Sequence, residues 1–396
     1  MKLTISSKSL GSERHLLLDG EKFSWVSTLD SDSLKWGFNE PDDLQTAAVA
    51  AKAHVREMSD NNHARFFNLI DIKRKDLPWQ NILPREVYLD TLKTIVDQLS
   101  LFINDESNSY YITTYLRNRK LLGKLARPKI FENRLDSAIK GAKSPGIISG
   151  LERFRPDRDG LAAKSNYCLA SSLTGRMTIT SGPNILTLKR DYRKILKSQY
   201  PGGKIVEIDI RSAEPRVVLA LMGKTVAGDV YTEVVKSIPG MVGNRDIAKI
   251  ATLSAIYGAS YHGLKSYLPD NVDASLVLDS VRDYFRVRDI ESILQEQIDS
   301  HGYLINTHGR KIFSNEPSMN HFVQSSAVDV AFDVFESVMS TFDRVGVRYS
   351  PIYLIHDAIL IDVHPEDTSL VKELCKNSFS SSKIGIELPV KIGEIT

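Results

Sequence analysis

Two aspartates stand out as residues able to do chemistry. Asp209 lies near the end of the run Lys204-Ile205-Val206-Glu207-Ile208-Asp209-Ile210, and Asp357 interrupts the apolar run 353–361 as part of His356-Asp357. A carboxylate in an apolar setting is costly unless something pairs with it. Two carboxylates held together by neighbouring strands would bind hard divalent cations such as Mg²⁺. Two such ions about 3.5–4 Å apart activate an attacking hydroxyl and stabilise the leaving oxygen of a phosphoryl transfer. One aspartate taken alone more often caps a turn, so the weight falls on what lies between the two.

Residues 244–258 have a helix start at Asn244 and a stop at Gly258. Arg245, Lys249, Leu253 and Tyr257 recur at every fourth position, so they form one slowly turning stripe. Two cations followed by an aromatic ring suit a nucleoside triphosphate: charge for the phosphates, a flat ring near the base or sugar. A solvent-facing basic helix face has the same pattern.

The elements that must position these groups follow from periodicity. Lys204–Ile210 alternates and is β-branched, which predicts a strand with Val206, Ile208 and Ile210 on one face and Glu207 and Asp209 on the other. Helical patterns fill about 213–300, and a late strand pair turns at His356-Asp357. Near the start, Leu16-Leu17-Leu18 and Phe23-Ser24-Trp25-Val26 flank Asp19-Gly20, a hairpin signal. Pro41-Asp42-Asp43 opens an Ala-rich helix expected to reach about Met58. Pro84-Arg85-Glu86 opens another, with Val87, Leu92, Ile95, Val96, Leu99 and Phe102 near helical spacing. A further helix is expected over about Ser107 to Leu125, and the Gly-, Pro- and Arg-rich stretch 142–164 reads as a connecting loop.

Composition excludes several classes. With 396 residues, 42% hydrophobic, and 51 Lys+Arg against 49 Asp+Glu, the chain is not of the disordered type. No run of about 18 apolar residues suggests a membrane span, and no membrane partner is expected. Cys168 and Cys375 lack metal or disulfide spacing, which points to a reducing cytoplasm. Cations cluster at Arg117–Lys143 and at Lys189, Arg190, Arg193, Lys194 and Lys197, which suggests phosphate contacts.

The sequence resembles the polymerase portion of a family A DNA polymerase, the bacterial DNA polymerase I family. Asp209-Ile210-Arg211-Ser212-Ala213-Glu214-Pro215-Arg216 resembles the motif DYSQIELR. Arg245, Lys249 and Tyr257-Gly258 resemble the nucleotide-binding fingers helix, and His356-Asp357-Ala358 resembles HDE. Thr174-Gly175-Arg176 with Pro183-Asn184 resembles a TGR…PN segment, and Asn320 with Gln324-Ser325-Ser326-Ala327 resembles NxxxQGTAAD. The resemblance implies an α+β right-hand fold with an antiparallel-sheet palm, helical fingers and a helical thumb, plus a small N-terminal β/α segment. The expected spans are 1–60 for a segment of unknown role, 61–165 for the thumb, 166–215 and 306–396 for the palm, and 216–305 for the fingers.

It also implies residue roles. Asp209 and Asp357, with the main-chain carbonyl of Ile210, hold two Mg²⁺ ions, with Mn²⁺ as a substitute. Arg245 and Lys249 hold the triphosphate, and Lys249 is also placed to protonate the pyrophosphate. Tyr257 packs by the nascent pair, and Glu214 crowds the sugar 2′ position. Leu253 stands on the nucleotide-facing stripe. Arg176, Asn184, Asn320, Gln324 and His356 contact primer–template DNA. The implied partners are that DNA and dNTPs, with a separate exonuclease, helicase or clamp as a further candidate.

Departures from the family pattern are specific. Ala358 stands where a second carboxylate is usual, with Glu207 as a candidate substitute. Leu253 replaces an aromatic, Ile210-Arg211 replaces Tyr-Ser, and Tyr231 stands where His is common. The N-terminal 165 residues hold no Asp-x-Glu that starts a strand, so no proofreading is expected, and the divergence hints at a phage or mobile element. A single-subunit RNA polymerase, a primer-synthesising relative and a catalytically weak DNA-binding relic stay open as alternatives. Glu214 favours deoxynucleotides among them.

Overall fold

The computed structural model describes residues 2–20, 22–30, 33–37, 44–73, 76–238, 244–270, 272–381 and 383–396. The chain parts into two units, Met1–Gly123 and Lys124–Thr396, so the span 61–165 expected to form a thumb includes residues of both.

In the first unit, β1 (Lys2–Ile5), α1 (Ser7–Leu10), β2 (His15–Asp19), β3 (Lys22–Val26) and β4 (Leu34–Trp36) build a sheet of order β3-β2-β1-β4. The expected hairpin forms with Asp19 opposite Lys22, and Gly20 supplies the positive φ of the turn. Leu3, Ile5, Leu16 and Leu18 face inward. α2 (Leu44–Ala50) ends short of Met58, because Lys52 turns into the left-handed region at φ 53°. The predicted opening at Pro41-Asp42-Asp43 lies outside the described residues. α3 (Asn61–Asn68) and α4 (Trp79–Ile82) lead to α5 (Arg85–Asn104) and α6 (Glu106–Gly123), both as expected. The inward register of α5 runs from Tyr88 through Leu92, Ile95, Leu99 and Phe102, so Val87 is exposed rather than core.

The second unit begins with β5 (Lys129–Ile130), α7 (Glu132–Gly141) and α8 (Pro145–Glu152). α8 corrects the expected loop at 142–164. Pro145 occupies the first helical turn, where its missing N–H costs nothing, and Leu151 anchors the helix in the core. β6 (Asn166–Cys168), β7 (Thr178–Ser181), β8 (Leu196–Lys197) and β9 (Lys204–Ile210) precede the helices α9 (Ala213–Leu221), α10 (Val230–Ser237), α11 (Arg245–Ile256), α12 (Tyr261–Lys265), α13 (Ala274–Tyr284) and α14 (Val287–His301). These helices share a core that includes Val234, Ala251, Val281, Phe285 and Leu294. A short hairpin of β10 (Leu304–Ile305) and β11 (Lys311–Ile312) leads into α15 (Met319–Val345). After it come β12 (Tyr349–Ile355), β13 (Ala358–Val363), α16 (Thr368–Leu374), β14 (Ser378–Ser381) and β15 (Ile386–Glu394).

The central sheet has the order β12-β13-β9-β15-β14, with every neighbouring pair antiparallel. β9 lies in the middle, which is why its residues 205–208 are all buried. α15 packs against α9 and β14. Its buried Asp329 accepts from Asn306 Nδ2 at 2.8 Å, and its Asp333 accepts from the Ser381 hydroxyl at 2.6 Å.

β12 is an edge strand, and one side chain covers part of its outer edge. The Tyr167 hydroxyl donates to the Leu354 carbonyl at 2.9 Å and accepts from the Leu354 N–H at 3.1 Å. Tyr167→Phe leaves two buried backbone groups unpaired, and its expected cost is about 1–3 kcal/mol. In urea unfolding of the second unit, the midpoint should fall with an unchanged slope. An unshifted midpoint would show that this bridge contributes nothing.

Candidate active site

The register of β13 against β9 places Ala358 opposite Asp209. Asp357 is therefore at the hairpin turn beside it, and its carbonyl accepts from Ile210 N–H at 3.0 Å. The strand end and the distant hairpin thus meet. The two-residue connection between β12 and β13 needs a left-handed residue, and His356 takes φ 52° there. Ser212, between β9 and α9, is likewise left-handed at φ 54°. Strained non-glycine positions of this kind persist only where the surroundings over-determine them.

A cleft of about 750 Å³ opens over this junction and is lined by Asp209, Asp357, Ile210, Glu214 and His356. Arg245, Lys249, Leu253 and Tyr257 line it from α11, and Arg176 and Gln324 complete the predicted residues there. The α11 stripe forms because the opposite face, Ala248, Ala251, Thr252 and Ala255, is buried. Asn244 caps the helix by accepting from Ile247 N–H, as expected.

Two predicted residues do not line the cleft. Asn184 spends its side-chain oxygen on Leu186 N–H, as the cap of a local turn. Asn320 accepts from Gln324 Nε2 at 2.5 Å and so reaches the cleft only through that neighbour. Glu207 is buried and held by Arg190 at 2.8 Å and Arg193 at 2.6 Å, so it is committed and does not replace the missing acid. The same pairs take two members of the second basic cluster away from free phosphate contacts. In the first cluster, Arg127 is tied to Asp157 and to the Ala162 carbonyl.

Several cleft residues are already engaged. Arg245 grips Asp229 through Nη2 at 2.7 Å and Nε at 3.0 Å, and lies over the Tyr231 ring. Glu214 accepts from Arg176 Nη2 at 3.1 Å and from the Tyr257 hydroxyl. Lys249 is exposed on the stripe. Asp229 lines the cleft too. Sequence reasoning gave it no role, and its signal was its place as the cap of α10. Lys391 is a second cleft residue that the sequence reading missed. It stands on β15 directly across from Asp209.

Supports beneath the cleft are buried and polar. Arg310 donates to the Leu169 carbonyl at 3.2 Å, and its guanidinium lies against Gly175 so closely that a Cβ there would sit 2.5 Å from Cζ. Gly175 also has φ 73°, so this position requires glycine on two grounds. The contact fixes the loop that carries Arg176. Arg216 donates to the carbonyls of Arg211, Val226 and Gly228, and so fixes the chain leading to Asp229.

Burial, then the charges of Asp357 and Glu207, push Asp209 up to about 6. Burial, then the charge of Glu214, also raises Asp357. Neither carboxylate receives a hydrogen bond or ion pair from a side chain among the described residues. Nor does a third acid or His join them in a ligating cluster there. Two half-buried oxygen donors that no side chain hydrogen-bonds fit a hard divalent ion that keeps waters and completes its shell with phosphate oxygens.

No family model matches the sequence, and comparison with curated proteins finds no match. Among solved structures, the chain is similar to the POL domain of Pol1 from M. smegmatis in complex with DNA primer-template and dNTP. The TM-score is 0.61 at 13% identity, covering 99% of this chain and 94% of that one. At that identity the likeness is one of fold: the chain is α+β and has the fold of a polymerase domain.

The carboxylate pair sets a pH-dependent cost in the metal-free protein. Well below its unfolded pKa of about 3.9, Asp209 is protonated whether folded or unfolded, so burying it costs nothing. The cost grows as pH rises through the range from 4 to 6 and is complete above it. In EDTA at pH 8, Asp209→Asn should therefore raise Tm by about 2–4 °C, equivalent to about 1 kcal/mol after solvent screening. The gain should shrink as pH falls towards 4 and vanish below the unfolded pKa of about 3.9, and Mg²⁺ should stabilise the wild-type protein more than the variant. Equal melting of the two proteins in EDTA at pH 8 contradicts this account.

Proposed function

We propose that this chain is a template-directed DNA polymerase that adds dNTPs to a primer 3′-hydroxyl by two-metal phosphoryl transfer. The observation that carries the reading is the meeting of Asp209 and Asp357 at one end of the central sheet, inside a cleft whose other lining includes Arg245, Lys249 and Tyr257. The likeness to a polymerase domain solved with primer-template and dNTP supports it.

On this reading the central sheet is the palm, from 166–215 and 306–396, and the helices within 216–305 are the fingers. The helices within 61–165 serve as a thumb on the duplex backbone. Residues 1–60 are left as a segment without an assigned step. No proofreading residues are assigned within the 396 residues.

Asp209 and Asp357, with the carbonyl of Ile210, would hold Mg²⁺ or Mn²⁺, which supplies Lewis-acid activation of the hydroxyl and stabilisation of the leaving oxygens. The chain's own groups do the rest. Arg245 exchanges Asp229 for the triphosphate, a charge-for-charge swap that leaves the guanidinium paired at both stages. Lys249, exposed one turn further along, holds the same group and is positioned to give a proton to the departing pyrophosphate. Glu214 is fixed between Arg176 and Tyr257, so its carboxylate presents a rigid wall to a sugar 2′ substituent. That rigidity favours deoxynucleotides over ribonucleotides and separates this reading from an RNA polymerase. Gln324, Arg176 and His356 face the primer–template, whose minor-groove acceptors are similar for all correct pairs.

Primer extension tests the proposal. The wild-type protein should incorporate dNTPs with Mg²⁺ or Mn²⁺, and Asp209→Ala and Asp357→Ala should each lower the rate on the order of 10²–10³-fold or more. Duplex binding should survive in both variants. Glu214→Ala should raise use of NTP relative to dNTP by about tenfold. A folded wild-type protein that incorporates no dNTP with either ion overturns the proposal.

A further inference from the structure

The wall of the cleft formed by the sheet carries cations that the roles above leave unused. Asp209 stands between two cross-strand neighbours, Ala358 on β13 and Lys391 on β15. Facing residues of antiparallel strands project to the same side, with Cβ atoms about 5 Å apart. Lys391 therefore stands beside the carboxylate, lines the same cleft and is exposed. It makes no ion pair with Asp209, and its ammonium is free among the described residues. Arg211 lies two residues beyond Asp209, lines the same cleft and is also exposed, and its N–H donates to the Pro389 carbonyl of the strand that carries Lys391. Two cations on adjacent segments thus flank Asp209 on the side away from the β13 hairpin.

The other arginines that line the cleft differ. Arg176 is paired with Glu214 and Arg245 with Asp229. A wall bearing only Asp209 and Asp357 would repel an approaching phosphate, and Lys391 with Arg211 offsets that charge on the β15 side. A compact ammonium and a planar guanidinium on paired segments of one wall suit a single phosphate group.

We propose that Lys391 and Arg211 form a phosphate-binding subsite on the sheet wall of the cleft, separate from the Arg245–Lys249 stripe on α11. The inference rests on the polymerase reading. The phosphate would come from the primer–template backbone or from the incoming nucleotide, which present the same chemistry.

The test uses the full chain with Lys391→Ala, Arg211→Ala, the double variant and Lys391→Arg. Each is checked first for wild-type melting, as expected for exposed residues. Binding of a dideoxy-terminated primer–template is measured by anisotropy in EDTA across a salt series. Binding of the complementary dNTP to that complex is then measured in Mg²⁺, where the blocked primer prevents turnover. If the ligand is a backbone phosphate, each alanine variant weakens DNA binding about 3–10-fold and lowers the salt slope by about 1. If it is a nucleotide phosphate, DNA binding holds and dNTP affinity falls by a similar factor. Lys391→Arg should retain most of the affinity in either case. A double variant within twofold of wild type on both constants overturns the subsite. A wild-type protein that neither binds primer–template nor extends it overturns the polymerase reading instead, so the two failures are distinct.

Discussion

Two carboxylates of like charge, set side by side at the end of a central strand, are the constraint around which this unit is organised. Burial disfavours the ionised form of each, with the charge of Asp357 adding to it at Asp209 and the charge of Glu214 adding to it at Asp357. Such a pair is kept only if the strands that carry it cannot slip. The six-residue register from Ala358–Asp209 to Val363–Lys204 supplies that, with β9 paired on its other edge by β15. A one-residue slip would turn Asp209 into the core and Ile208 into the cleft. The left-handed His356 and Ser212, one on each of the two segments, are the local cost of bringing both acids to one place.

Around the pair, preorganisation comes from buried polar groups whose partners are mostly main-chain atoms. Arg310 under Gly175 and Arg216 on three carbonyls fix loops rather than contacting the cleft contents. They place Arg176 and Asp229, and these in turn hold Glu214 and Arg245. A charge held by a weaker partner is ready for a stronger one, since exchange leaves no group unpaired in a site of low dielectric. On the proposed reading, the free protein therefore waits with its phosphate and sugar contacts already aimed.

Local pattern made much of this legible. The alternation of 204–210, the apolar hairpin broken by His356-Asp357 and the four-residue stripe from Arg245 to Tyr257 each depend on neighbours in sequence, and each appears in the structure. What was not legible depends on partners far away. Glu207 and Asp209 share a face, yet Arg190 and Arg193 claim only Glu207, and nothing in the strand itself says so. Asn184 serves its own turn because its oxygen finds a local N–H first. α2 stops early and α8 forms where Gly and Pro suggested a loop, because a left-handed residue ended the one and a core contact anchored the other. Lys391 reads as an ordinary exposed strand lysine until β15 is paired with β9.

That pairing bears on the neutral residue at 358. Across three strands the row reads Ala358, Asp209, Lys391, so the one acid is balanced by the one base. A second acid at 358 would add repulsion to a carboxylate already raised by its neighbours, and would require a cation to offset it. With alanine there, Asp357 at the turn is the acid whose charge acts most on Asp209, and the row can accept a cation near Asp209 and an anion near Lys391 at once. A site of this charge pattern is less demanding of metal to fold and more attractive to phosphate on the sheet side. The neutral side chain at 358 and the cation at 391 are then two halves of one electrostatic arrangement, readable only once the strands lie side by side.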